Sequence, residues 1–267
     1  IFDAHYNLGH VHELKGNINK AIESYIKALS IDSKNIDATL KLSNLYIKKH
    51  QFDIAYQTLL VQCEDHSQDY RLFQNIANVL FHLSKHDLAL DAINWALILS
   101  PKSPELHNTK GLIFQSLQKY AEALKSYHKS LEYDPRNIEA LNNIGAVYKN
   151  TGNLKEAISW FDKAITLNKK HANSITNKAE CLLSIGENID DAMDILVDSI
   201  DIDSNNSRTY TLLGDAKSIK GENYDALACY QKALEIDFKN RYSLAKLMHT
   251  ARKICYWDLN IHLDSNS

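Results

Sequence analysis

The 267-residue sequence is poor in the residues that punctuate a chain, with only 8 Gly and 3 Pro. A sheet of many short strands needs a turn about every 8–12 residues, so this scarcity excludes sandwiches and barrels. Arginine is confined to Arg71, Arg136, Arg208, Arg241 and Arg252, the lysines are dispersed, and the formal charge is −3. No basic stripe exists to hold a phosphate backbone, which argues against a nucleic-acid partner. Cys63, Cys181, Cys229 and Cys255 lie far apart, without the paired spacing of a zinc site or a disulfide framework, and reduced thiols are expected. No apolar run reaches the ~18 residues of a membrane span, and no charged-then-apolar leader is present. These absences give the expectation of a soluble, intracellular (cytoplasmic) protein with no membrane partner. The chain starts Ile1-Phe2-Asp3 without methionine, so it is expected to be a piece of a longer protein.

What the sequence does contain is alanine, leucine, isoleucine, lysine and glutamate in helix-forming proportion, which predicts an all-α class. It also contains a rhythm. Small residues recur at Gly9, Ser43, Ala77, Gly111, Gly145, Ala179 and Gly214, at intervals of 34 residues until a final interval of 35. Alanines keep step at Ala21, Ala55, Ala89, Ala123, Ala157, Ala192 and Ala226. The single extra residue is assigned to a longer turn near Gly186-Glu187-Asn188. Every glycine falls at one of two positions, the eighth (Gly9, Gly111, Gly145, Gly214) or the fifteenth (Gly16, Gly152, Gly186, Gly221).

Each position has a physical reason. Asn35, Asp69, Ser103, Asn137, His171, Asn206 and Asn240 precede successive units, and all but the histidine can accept a bond from a free helix N–H. They are read as caps of a first helix, A. Pro104 follows Ser103 at the first helical position, where a missing N–H costs nothing. Glycine at position 15 ends helix A in the left-handed conformation, and a second helix, B, runs to about position 30. In helix A, positions 4, 7, 8 and 11 share a face, as Leu141, Ile144, Gly145 and Tyr148 do; in helix B, Ala157, Phe161 and Ala164 do the same. Small residues at 8 and 20 let the helices approach. Unit 2 departs most, with Ser43, Leu59 and Gln62 at key positions, and loose packing against unit 3 is expected there. Lys110 and Lys178, at a usually apolar position, are read as stems that pack while the ammonium reaches out.

These residues resemble the tetratricopeptide repeat family. The resemblance covers residues 2 to about 240, strongest in Leu8-Gly9/Ala21/Tyr25/Ala28 and in Gly145/Tyr148/Ala157/Phe161/Ala164. It implies an all-α, right-handed superhelical solenoid of helix-turn-helix repeats, about 2–35, 36–69, 70–103, 104–137, 138–171, 172–206 and 207–240, with a C-terminal capping helix at 241–258 and a frayed tail at 259–267. A narrower resemblance is to the repeat arrays of O-linked N-acetylglucosamine transferases and related bacterial transferases. It rests on asparagine at position 6 (Asn7, Asn75, Asn143, Asn177) and on the terminal Arg252-Lys253-Ile254-Cys255-Tyr256-Trp257-Asp258.

Stacked helix pairs leave one face of helix A uncovered, so positions 2, 5, 6, 9, 12 and 13 are expected to line a concave groove. That groove would present Asn7, Asn44, Gln74, Asn75, Asn78, Asn108, Asn142, Asn143 and Asn177, amides able to donate to and accept from a peptide backbone. Tyr6 and Phe81 would add apolar anchors. A carboxylate-gripping pocket is disfavoured, because Lys41, Lys48, Lys149 and Arg208 are separated by whole repeats and interspersed with acids. The histidine pairs His10/His12 and His82/His86 lack a third ligand, no nucleophile signature or phosphate loop occurs, and no metal or cofactor is expected. The expected function is a scaffold that binds a peptide or protein partner in the groove, without catalysis of its own. The alternatives are a substrate-recruiting arm of a larger transferase, and assembly into homo-oligomers.

Overall fold

A computed structural model describes residues 1–254, and among them every regular element is an α-helix. In chain order these are α1 (Phe2–Leu14), α2 (Ile18–Ile31), α3 (Ile36–Lys48), α4 (Phe52–Leu60), α5 (Tyr70–His82), α6 (His86–Leu99), α7 (Pro104–Ser116), α8 (Tyr120–Tyr133), α9 (Ile138–Asn150), α10 (Leu154–Leu167), α11 (Ala172–Ile185), α12 (Ile189–Ile202), α13 (Ser207–Ile219), α14 (Asn223–Ile236) and α15 (Arg241–Lys253). Odd-numbered helices are A helices and even-numbered ones B helices. They group into two compact units, Ile1–Asn137 and the part from Ile138 onward. Within each unit a helix packs on the next in sequence, and the A helices of neighbouring repeats also touch, α3 on α5 and α5 on α7 in the first, α9 on α11 and α11 on α13 in the second. The protein is an all-α helical solenoid. The segment 255–267, with Cys255, Tyr256, Trp257 and Asp258 and the expected end of the capping helix, lies outside the described residues.

The helix starts are made by short polar side chains. Asn35, Asp69, Ser103, Asn206 and Asn240 each accept from backbone N–H groups of the helix that follows. His171 does not cap; its ring bonds the Ser174 hydroxyl at 2.7 Å and Glu139 at 3.2 Å. The helix A to helix B turns all use a left-handed residue at position 15. Gly16, Gly152, Gly186 and Gly221 supply it freely, but His50, Ser84 and Gln118 adopt the same conformation with φ of 57°, 58° and 57°. That conformation costs a non-glycine residue about 1–2 kcal/mol, and glycine's own entropic penalty offsets part of any gain. Changing Ser84 and Gln118 to Gly is therefore expected to stabilise by up to about 1 kcal/mol each, read as a raised denaturation midpoint with an unchanged slope. In the sixth repeat the additional residue sits where expected, with both Gly186 and Asn188 left-handed.

Close approach of A and B helices governs the core. A Cβ added at Gly9, Gly111, Gly145 or Gly214 would stand 2.9, 2.4, 2.6 or 2.6 Å from the ring of Tyr25, Tyr127, Phe161 or Tyr230. All four rings are fully buried. Where position 8 is larger, as in Ser43, Ala77 and Ala179, the facing residue is the slimmer Leu59, Ile93 or Leu196. The two positions exchange volume so that packing density is kept.

The second repeat differs from expectation. It is not loosely packed against the third, because Ala55, Leu59, Leu72, Ile76 and Ala77 belong to one continuous core. Its departure is instead a shortened helix, α4, which stops at Leu60, whereas α2 and α6 each run for 14 residues. Gln62 then lies buried at the position other repeats give to a small residue, and its amide donates to the Ser33 carbonyl at 2.7 Å. Lys110 and Lys178 behave as read, reaching outward to Asn94 at 2.8 Å and Asp162 at 2.6 Å on the preceding B helices. At the far end, α15 packs on α14 and α13 as a further A helix would. Its Met248, at position 8, is 58% exposed.

Candidate functional site

In the first unit α3, α5 and α7 stand side by side, so their residues at positions 6, 9 and 13 face a common space. They enclose a cleft of about 550 Å³ lined by Asn44, Gln74, Asn75, Asn78, Phe81, His82, Thr109, Leu112 and Ile113. Asn44, Gln74 and Asn78 are half-buried, and their amides make no side-chain hydrogen bond among the described residues. Asn75 donates to the Arg71 carbonyl at 2.8 Å, which leaves its own oxygen open. Ile113 forms a buried floor. Phe52 stacks flat on His82 at 4.9 Å, and Phe81 meets the same imidazole edge-on. Burial, with the neighbouring His50, holds the His82 pKa below its ordinary value, which favours the neutral ring. The cleft is therefore a pairing of free amides with an apolar wall. Beside it, Tyr6, Glu13, Asp37, Lys41, Tyr70 and Arg71 line a second recess of about 340 Å³ between α1, α3 and α5.

The structure brings only part of the predicted amide set together as available groups. Asn44, Gln74, Asn75 and Asn78 share the cleft, and Asn7 is exposed on α1. Asn108 and Asn143 already interact within the chain. Asn142 and Asn177 are each only 7% exposed. Asn177 donates to the Asn142 oxygen at 3.1 Å, as does the Ser174 hydroxyl at 3.1 Å. The Asn177 oxygen in turn accepts from Arg208 at 2.9 Å and Lys149 at 3.3 Å. These two amides stitch α9, α11 and α13 to one another. The repeat register carries no sign of this difference, since Asn177 shares position 6 with Asn75 and Asn143, and Asn142 shares position 5 with Gln74. His82, Thr109 and Leu112, at positions 13, 6 and 9, were legible from the repeat register as groove residues.

The cations also differ from expectation. Lys41 and Lys48 do converge, on Glu13 at 3.3 and 3.6 Å, and Lys149 and Arg208 converge on Glu180, Lys149 at 2.6 Å. A period of 34 places positions of adjacent A helices side by side, so residues separated by a whole repeat in sequence become neighbours. The cations are thus gathered, but around carboxylates of the chain itself. Burial opposes ionisation of Glu180, and the hydrogen bond from Lys149 with the charges of Arg208 and Lys149 outweighs it, so its pKa lies below the ordinary 4.5. Glu13 is likewise lowered against burial by Lys41 and Lys48. A carboxylate depressed in the folded state stabilises fully above its unfolded pKa and loses that contribution as pH falls through the folded value. Stability is accordingly expected to fall below about pH 4.5, and Glu13→Gln with Glu180→Gln should flatten that acid limb in pH-dependent thermal melts.

In the second unit Asp215 accepts from Tyr230 at 2.8 Å and Tyr242 at 3.0 Å and pairs with Lys246 at 3.1 Å, which ties α13 to α14 and α15. Cys63, Cys181 and Cys229 are free thiols. Burial raises the pKa of Cys181 to about 11, against the smaller pull of Lys149. Among the described residues no group of three His, Cys, Asp or Glu side chains gathers to hold a metal ion, and no helix is long and apolar enough to cross a membrane.

With seven A/B pairs on a 34-residue period, four of them with glycine against an aromatic ring, family comparison is decisive. Tetratricopeptide repeat models match residues 2–35, 138–171 and 207–240, and a further repeat model of the same family matches 111–152. The chain belongs to the tetratricopeptide repeat superfamily. A tetratricopeptide repeat protein from Parabacteroides merdae is similar in structure, with a TM-score of 0.73 and 20% identity over 93% of this chain and 98% of that one. A chain of the APC/C hetero-tetramer Cut9–Hcn1 is similar at a TM-score of 0.70 and 17% identity, covering 87% of this chain and 52% of that one. YrrB, described as a tetratricopeptide repeat protein with an unusual peptide-binding site, aligns at 0.50 and 21% identity over 70% of this chain and 96% of its own. In sequence, the mouse BBSome complex member BBS4 is 26% identical over 113 residues, which is 42% of this tetratricopeptide repeat chain and 22% of the mouse protein.

Proposed function

We propose that this chain is a protein-interaction scaffold and that the cleft between α3, α5 and α7 holds an extended segment of a partner. The observation that carries this reading is the set of half-buried amides, Asn44, Gln74 and Asn78, without a hydrogen-bond partner among the described residues and beside the apolar wall of Phe81, Leu112 and Ile113. A half-buried amide keeps its donor and acceptor open towards the cleft, where a ligand's polar groups can meet them. An extended peptide offers alternating N–H and C=O groups that amides can satisfy irrespective of side chain, and one apolar residue of the segment would rest on Phe81. The chemistry asks for no cofactor and no bond-making step. Recruitment for a larger transferase remains compatible with the same cleft, because delivery and scaffolding use the same contacts.

The test is a peptide array of unstructured sequences probed with the whole chain and with a variant carrying Asn44→Ala, Gln74→Ala and Asn78→Ala. The proposal expects spots that bind the parent and fade in the variant while the variant's melting curve is kept. Equal binding by both proteins would remove the cleft from the function.

A further inference from the structure

The second unit carries another groove, on the side of its B helices, that the reading above does not use. α10 and α12 pack against α11 from two sides, and the trough between them has an apolar lining of Ile165, Ile175, Ile195 and Ile202 with a volume of about 460 Å³. Ile175 is buried at the floor and the other three are half-buried. Lys178, also at the floor, is neutralised by Asp162 at 2.6 Å, and Lys169 stands in the turn that follows α10.

One lip of the trough is strongly acidic. Between Lys178 and Arg208 the chain contains eight Asp and Glu residues and no Lys or Arg. Of these, Glu180 is taken by Lys149 and Arg208, and Asp190 by Lys220 at 2.5 Å. Asp191, Asp194, Asp198 and Asp201 are exposed and have no cationic partner among the described residues. They follow one another at intervals of three and four, so they form a single stripe along α12, next to Ile195 and Ile202. Like charges at that spacing repel, and Asp198 and Asp201 also stand near the negative end of the helix dipole. No cation among the described residues pairs with these four carboxylates. A cationic partner would.

We propose that this trough docks a basic amphipathic helix of a partner protein, its apolar stripe on the isoleucines and its Lys or Arg residues along the α12 aspartates. Charge complementarity selects the occupant. An acidic or neutral helix would leave the stripe unrelieved, and a second copy of this chain would bring its own acidic lip. Helix-in-groove docking reads apolar anchors at i, i+3, i+4 and i+7, and Ile165, Ile175, Ile195 and Ile202 offer such anchors apolar contacts from α10, α11 and α12.

The test uses a fluorescein-labelled synthetic peptide of about 18 residues with leucines at that spacing and lysines flanking them, titrated with the whole chain near physiological salt. Two control peptides accompany it, a scrambled one of identical composition and one with glutamate for every lysine. The proposal expects the amphipathic peptide to bind at least tenfold more tightly than either control. It also expects a quadruple variant, Asp191→Asn, Asp194→Asn, Asp198→Asn and Asp201→Asn, to lose at least tenfold in affinity. The four side chains are exposed, so the variant should keep its circular dichroism and melting curve, and should bind array peptides in the α3/α5/α7 cleft unchanged. Equal binding of the amphipathic and scrambled peptides would reduce the effect to unspecific charge attraction and overturn the proposal. Unchanged affinity in the quadruple variant would do the same, as would a doubled mass in light scattering that the peptide does not dissolve, since the trough would then belong to a second copy.

Discussion

Gly145→Ala is expected to destabilise the protein, by up to about 2 kcal/mol, even though alanine is the better helix former. Mid-helix, the exchange gains about 1 kcal/mol of propensity. Against that, the new Cβ would lie 2.6 Å from Cε1 and 2.8 Å from Cδ1 of Phe161, a ring that is fully buried and has no free direction to move. Overpacking of that kind costs about 1–3 kcal/mol, and it outweighs propensity when the obstructing group is a rigid ring. Phe161→Leu alone leaves a cavity and costs a similar amount. Combined, the two changes reproduce what Ala77 with Ile93 and Ala179 with Leu196 already do in other repeats. The double variant should therefore be more stable than the sum of the singles predicts, by at least about 1 kcal/mol of coupling in a chemical-denaturation cycle. Strict additivity would show that the glycine is not there to admit the ring.

The second large effect separates the two classes of groove amide. Alanine at Asn44, Gln74 and Asn78 removes groups with no hydrogen-bond partner among the described residues, so stability should change little. Each hydrogen bond to a bound backbone is worth about 0.5–1.5 kcal/mol net, which makes the triple variant bind a peptide ligand roughly tenfold to a thousandfold more weakly. Alanine at Asn142 or Asn177 should do the reverse. Those amides hold Ser174, Arg208, Lys149 and one another, and stranding buried partners costs about 1–3 kcal/mol of stability each, while peptide affinity in the α3/α5/α7 cleft stays as it was. Calorimetry of binding beside thermal melts of the same variants checks both halves. If Asn142→Ala and Asn177→Ala melted like the parent and lost binding, the division into structural and binding amides would be wrong.

The α12 acidic stripe and the α3/α5/α7 cleft are chemically independent. One presents unpaired carboxylates beside isoleucine, the other unpaired amides beside phenylalanine. A scaffold with both could hold an extended segment of one partner and a helix of another.

The 34-residue spacing of small residues was enough to determine helix class, helix pairing and the turns, because each depends on contacts within a repeat or with the next one. Glycine facing a ring or a slightly larger residue facing an aliphatic one at position 24, a short polar residue before most A helices, and a left-handed residue at position 15 are all local requirements that a sequence must meet in place. The residues that face the groove follow from the same register. What the register leaves open is the state of those residues. Asn75 and Asn177 occupy equivalent positions, yet Asn177 is claimed by Arg208 and Lys149 from neighbouring repeats; Lys149 and Arg208, which look scattered along the chain, meet on Glu180. Only the tertiary structure decides such matters, because side chains a full repeat apart become neighbours when A helices stack, and whether an amide or a charge is free then depends on what the adjoining repeat happens to offer it.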